Sequence, residues 1–206
     1  MSAPASVRLD ALLARSARVH PDRTALEGAG ESWTYARLDR AVDALADRLT
    51  ADGVAPGDRV GVYAPKTPAT VIALYAALRA GAVAAPLDTA DPPERTARMI
   101  RNAGLSLLVT VDRALTGAQR AATRARDGAP ADADALGHGL HRLRILAPEE
   151  RPAPLPAPTD SGGYLLFTSG STGWPKGVLL SHENVAHYAL WAAGEFGLTP
   201  DDRIGS

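Results

Sequence analysis

The ten residues TSGSTGWPKG, Thr168 to Gly177, place four hydroxyls (Thr168, Ser169, Ser171, Thr172), three glycines (Gly170, Gly173, Gly177) and Lys176 in one short stretch. A packed core has no use for so many hydroxyls side by side. Such a loop suits a guest rich in acceptor oxygens. Glycine tolerates positive φ and carries no Cβ, so backbone N–H groups can approach a ligand closely. Each hydroxyl can donate one hydrogen bond, and Lys176 adds a mobile positive charge. Phosphate is the guest this chemistry fits. One charge-assisted hydrogen bond contributes on the order of 1.5 to 3 kcal/mol, so Lys176 matters but cannot hold a nucleotide alone. The plain alternative is a flexible polar turn.

The elements around the loop argue against that alternative. Tyr164 to Phe167 reads as a strand entering it and Val178 to Ser181 as a strand leaving it, and a helix from Glu183 to about Phe196 follows. Upstream, Leu9, Leu12 and Leu13 recur at helical spacing up to Pro21. Thr24 to Glu27 and Ser32 to Tyr35 predict a hairpin around Gly28-Ala29-Gly30. Leu38, Val42, Leu45 and Leu49 predict an amphipathic helix with Gly53 at its end. Strands at Arg59 to Tyr63, Ala82 to Leu87 and Ser106 to Val111 alternate with helices at Ala69 to Ala80 and Pro92 to Ala103, closed by Gly81 and Gly104. That alternation predicts an α/β fold, a layered and mostly parallel sheet flanked by helices. From Ala114 to Arg142 the pattern is weak, with one helix near Gln119 to Arg126 and a short strand at Leu143 to Leu146. Residues 148–160 form a Pro-rich connector that cannot be helix.

Composition narrows the function classes. The 206 residues are 46% hydrophobic and 22% charged with a formal net charge of -1, which is an ordinary globular balance. No general positive field draws in nucleic acid, and no apolar run approaches a membrane span. With no cysteine, thiolate catalysis, disulfides and cysteine-ligated zinc are excluded. The N-terminus lacks the apolar core of a signal peptide, and the expected location is the cytoplasm.

A P-loop, G-x-x-x-x-G-K-[ST], is the nearest generic phosphate motif, and it fails twice. Counting from Gly170, the sixth residue is Pro175, which has no N–H to donate, and Gly177 stands where a magnesium-binding hydroxyl belongs. A strand follows the loop, so the helix dipole is missing as well.

TSGSTGWPKGV, with YLLF before it and Ser181-His182-Glu183-Asn184 after it, resembles the phosphate loop of the adenylate-forming enzymes. These comprise acyl-CoA ligases, luciferase-like ligases and the adenylation domains of nonribosomal peptide synthetases. Trp174 departs from the polar or charged residue usual there. Trp33-Thr34-Tyr35 with Leu38, and Leu78-Arg79-Ala80-Gly81 through Pro86-Leu87-Asp88 with Pro92 and Arg95, are similar to two earlier family segments and stand in the same order. The resemblance runs from about Leu9 to Ser206, so residues 1–206 would be the N-terminal part of an adenylation domain.

The resemblance implies a ligase in which a carboxylate attacks ATP, pyrophosphate leaves, and the acyl group passes from AMP to a thiol. Thr168, Ser169, Ser171, Thr172 and Lys176 would contact phosphate, Gly170, Gly173 and Gly177 would let the loop close, and Mg2+ would accompany ATP. The acceptor would be a phosphopantetheine or CoA thiol, and a carrier protein or a complementing C-terminal piece would be the protein partner. The P-L-D-x-x-x-P-x-x-R form of residues 86–95 is more similar to amino-acid-activating domains. Family segments that hold AMP, the ribose and the C-terminal lysine do not occur in this sequence, so the chain alone is expected not to catalyse adenylation. The rival is a naturally short, non-catalytic binding module, or a fragment that complements a separate C-terminal piece.

For His182 two roles stay open, facing the acyl site or structural at a helix start. His20, His138, His141 and His187 have no spacing for a metal or a triad. Trp33 and Tyr35 are expected in the core, Tyr188 and Trp191 packed on a helix face, Arg124, Arg126, Arg142 and Arg144 in solvent, and Asp88 paired with Arg95.

Overall fold

The computed structural model describes residues 7–28, 30–137, 139–147, 150, 163–169 and 175–205. The chain runs from α1 (Leu9–Val19) into a hairpin of β1 (Thr24–Gly28) and β2 (Glu31–Thr34), then α2 (Tyr35–Ala51), β3 (Arg59–Tyr63), α3 (Pro68–Arg79) and β4 (Val83–Leu87). It continues through α4 (Pro93–Ala103), β5 (Leu107–Val111), a 3-10 turn (Asp112–Ala114), α5 (Leu115–Ala125), β6 (Ala133–Gly137) and β7 (Leu140–Arg144). The strand pair β8 (Tyr164–Ser169) and β9 (Pro175–Leu180) and helix α6 (His182–Glu195) complete it.

Local chemistry accounts for most boundaries. Thr34 caps α2 by accepting from the Arg37 amide at 3.2 Å, and Thr67 caps α3, where Pro68 takes a first-turn position that needs no N–H. α4 stops at Gly104, whose φ of 57° is left-handed. In α2, Leu38, Val42, Leu45 and Leu49 form the buried stripe expected from their spacing.

Seven strands form the main sheet in the order β6-β7-β5-β3-β4-β8-β9, and β1 pairs separately with β2. The pairs β5–β3, β3–β4 and β4–β8 are parallel, whereas β6–β7, β7–β5 and β8–β9 are antiparallel. The layered α/β arrangement is thus present, with parallel pairing confined to the centre and antiparallel pairs at both margins. Because β4 and β5 flank β3 on opposite sides, right-handed crossovers place α3 and α4 on opposite faces of the sheet. Helices α1, α2 and α3 pack on one another, and α4 packs on α5.

Three expectations need correction. The helix near Gln119 begins earlier, at Leu115; the strand at Leu143–Leu146 is Leu140–Arg144; and β6 was not foreseen. Residues 133–137, ADALG, carry little β-forming signal, and the strand exists through its pairing with β7. The connector 148–160 lies outside the described residues apart from Glu150.

Candidate functional site

Gly170, Ser171, Thr172, Gly173 and Trp174 lie outside the described residues, so the site is built from the stem that carries them. Across β8–β9 the register pairs Leu166 with Val178, Phe167 with Gly177, Thr168 with Lys176 and Ser169 with Pro175. Residues directly opposite in an antiparallel pair point to the same face. One face therefore carries Leu165, Phe167 and Leu179 and borders a cavity of about 210 Å³ with Arg59, Asn102 and Ala103. The other carries Leu166, Val178, Thr168 and Lys176, all exposed. A hydroxyl and an ammonium thus stand side by side at the mouth of the loop, with no salt bridge from Lys176 to any described residue.

Gly177 sits inside β9. A Cβ there would come within 3.1 Å of Leu165 Cδ1, so the missing side chain lets the inner face close. Pro175 occupies the first position of an edge strand, where its lack of an N–H costs no ladder bond. At the base, Tyr164 is mostly buried, and desolvation, then the neighbouring Tyr75 hydroxyl, pushes its phenol well above the usual tyrosine value.

Behind the hairpin, Ser181 and Asn184 form a reciprocal capping box at the start of α6, with bonds of 3.0 and 3.1 Å. His182 follows, at the first position of α6. The residue is 3% exposed, and its Nδ1 accepts a hydrogen bond from the Leu9 amide at 3.2 Å. Burial, then the charge of Arg8, holds the imidazole below the ordinary histidine value, with Asp10 acting in the opposite sense.

A second concavity lies away from the loop. The strand order reverses at β3, and outside the carboxyl ends of β3 and β5 a groove of about 430 Å³ is lined by Trp33, Arg37, Thr67, Ile72 and Arg113 among others. The Arg37 guanidinium stands 3.7 Å over the Trp33 ring, and Trp33 is buried as expected. No periodicity signalled this groove, because the β1–β2 hairpin and α3 meet there only in the folded chain.

Other expectations changed. Arg142 is not solvated: it pairs with Asp52 at 3.1 Å and Asp134 at 3.2 Å. Arg144 donates to the Asp52 carbonyl, whereas Arg124 is exposed as expected and pairs at the surface with Glu94. Arg95 pairs with Asp91, while Asp88 accepts from the Ala90 amide. Tyr188 and Trp191 are 65% and 52% exposed, so the expected packed helix face is open to solvent. His141 pairs with Asp112.

The sequence model of the AMP-binding enzyme family matches residues 13–206. The chain belongs to this family. Among its relatives is phosphinothricin tripeptide synthetase PhsC of Streptomyces viridochromogenes, 40% identical over 196 residues, a match covering 95% of this chain and 17% of PhsC. The nonribosomal peptide synthetase FmoA3 in its AMPPNP-bound form superposes with a TM-score of 0.70 at 30% identity, covering 96% of this chain and 20% of FmoA3. VinN superposes with a TM-score of 0.72 at 28% identity, covering 96% of this chain and 49% of VinN. Within the AMP-binding family the chain therefore spans about a fifth or less of the synthetases and half of VinN. Among the described residues no helix is long and apolar enough to cross a membrane.

Proposed function

We propose that the chain supplies the phosphate-gripping part of an enzyme that activates a carboxylic acid as its acyl-adenylate. A carboxylate oxygen attacks the α-phosphorus of ATP, the bond from that phosphorus to the bridging oxygen breaks, and pyrophosphate leaves. A thiol then attacks the acyl carbon and AMP departs. The observation that carries the reading is the Thr168–Lys176 pair, an exposed hydroxyl and ammonium on one face of the stem, inside a chain of the AMP-binding family. Ser169, Gly170, Ser171, Thr172 and Gly173 would complete the grip on phosphate. The described residues fit a polyphosphate ligand. Mg2+ would accompany the nucleotide and spread the charge that develops on its phosphates.

An amino acid is the favoured substrate class, from Pro86-Leu87-Asp88 with Pro92 and Arg95 and from the peptide synthetases among the relatives. The acceptor would be a phosphopantetheine thiol on a carrier protein, or CoA. Exposed Leu190, Trp191 and Phe196 on and beside α6 favour a chain that works joined to, or complemented by, the part of the domain that follows in its relatives.

Nucleotide binding to the 206-residue chain tests this. MgATP should bind, and Lys176→Ala should weaken it by about ten- to a hundredfold, the equivalent of one charge-assisted bond. Binding that ignores both Lys176→Ala and Thr168→Ala would overturn the assignment of the loop. Pyrophosphate exchange should be absent; exchange that depends on a carboxylic acid and vanishes in Lys176→Ala would show the chain to be catalytically sufficient.

A further inference from the structure

We infer that His182 is a positioning residue that ties the phosphate-loop hairpin to the N-terminal helix. α1 has no cap of its own: Arg8 stands at its N-cap position without a side-chain cap bond. The first-turn N–H groups of a helix need outside partners, and the one on Leu9 finds His182 Nδ1, 173 residues away in sequence and buried. His182 is thus a helix cap supplied from across the fold.

The other side of this tie is the base of the hairpin. Among the described residues, β9 pairs with β8 as its one strand neighbour, and β8 joins the rest of the sheet through the register pair Ala84 with Tyr164. Beside that pair, Ala84 donates to the Gly163 carbonyl at 3.1 Å and Gly163 donates to the Leu180 carbonyl at 2.9 Å. A Cβ on Gly163 would stand 3.1 Å from the His182 amide nitrogen, so the base closes directly against this histidine. A stem fastened at its base holds its tip only as firmly as that base is fastened. α4 packs on β9 along the stem, and the His182–Leu9 bond adds a long-range tie at its base, where α1 is itself held through Leu9, Leu13 and Ala17.

Accepting at Nδ1 requires the proton on Nε2. Protonating Nδ1 would set two donors against each other at two helix N-termini, where positive charge is already disfavoured. Arg8 and Asp10, 3.1 Å apart, are the charged groups on α1 that act on the ring; Asp10 also acts on Tyr75 of α3, which in turn acts on Tyr164 of β8, and Glu183 beside it on α6 is exposed. The folded ring lies below the ordinary 6.5, so the tie is complete above that value and is lost as pH falls through the folded value.

Hydrogen–deuterium exchange on the 206-residue chain, with MgATP as the nucleotide probe, tests this. His182→Leu removes the acceptor, whereas His182→Asn presents an amide oxygen near the Nδ1 position and does not titrate. In His182→Leu the first turn of α1 and the β8–β9 pairs should together exchange roughly tenfold faster, with β3 and β5 unchanged, and His182→Asn should restore both. In the wild type the same joint loosening should appear on acidification, after correction for intrinsic exchange, and be absent in His182→Asn. Should His182→Leu not fold, this acid response decides alone. Loosening of α1 with full protection kept in β8–β9, or an Asn variant that responds to acid like the wild type, overturns the inference. A parallel loss of MgATP affinity rests on the proposed function; failure to bind MgATP at all would sink that function and leave the exchange result standing.

Discussion

Strand β5 and strand β9 belong to one sheet and live in different solvents. Every residue of β5 from Leu107 to Val111 is buried, while Lys176, Gly177, Val178 and Leu179 of β9 are all exposed. β5 is covered on both faces because the opposite crossovers of α3 and α4 bury it, and its sequence LLVTV is a continuous run of the kind such a position demands. The β8–β9 stem has backbone pairing from Tyr164–Leu180 to Ser169–Pro175 but little side-chain burial. The difference separates two jobs. Burial makes the centre rigid, whereas under the proposed function the stem would close around a ligand, a task that draws on the weakly packed end of a structure.

Substitutions can break or sharpen this contrast. The largest effect is expected for Leu108→Ala, which empties a fully buried site and should cost about 2 to 5 kcal/mol in urea denaturation. Gly61→Ala in β3 overpacks the same region: the new methyl would meet Leu108 and stand 2.9 Å from Leu105 Cδ1, for a loss of roughly 1 to 3 kcal/mol. Ser181→Ala removes the capping box behind the hairpin and should cost about 1 kcal/mol. Leu166→Ala, at a side chain 39% exposed, should change stability by less than about 0.5 kcal/mol. Equal losses for Leu166→Ala and Leu108→Ala would erase the distinction between stem and centre. Lys176→Ala belongs with the smallest effects on stability and the largest on nucleotide binding, and that split would be the sharpest sign that the stem serves a ligand.

Much of the fold was legible because its signals are local. Helical spacing in α2, and Gly81 and Gly104 at the ends of α3 and α4, lie next to the elements they define. The hydroxyl- and glycine-rich loop was legible for the same reason, since its chemistry is contained in ten neighbouring residues. The stretch that became β6 was not, because alanine, aspartate and glycine are depleted in strands and pairing with β7 decided the outcome, while α5 was legible only in its second half.

By itself, then, the sequence determined the order of the elements outside residues 114–147, the strand-flanked loop and membership in a family, all of which depend on residues close together in the chain. Only the tertiary structure decided which strands became neighbours, that Arg142 turns inward to Asp52 and Asp134, and that Trp191 remains uncovered. It also gave His182 its hydrogen-bond partner. A histidine at a helix start has the same local sequence whether it meets a substrate or an amide, and here the partner is the N–H of Leu9, brought to it by the packing of α1.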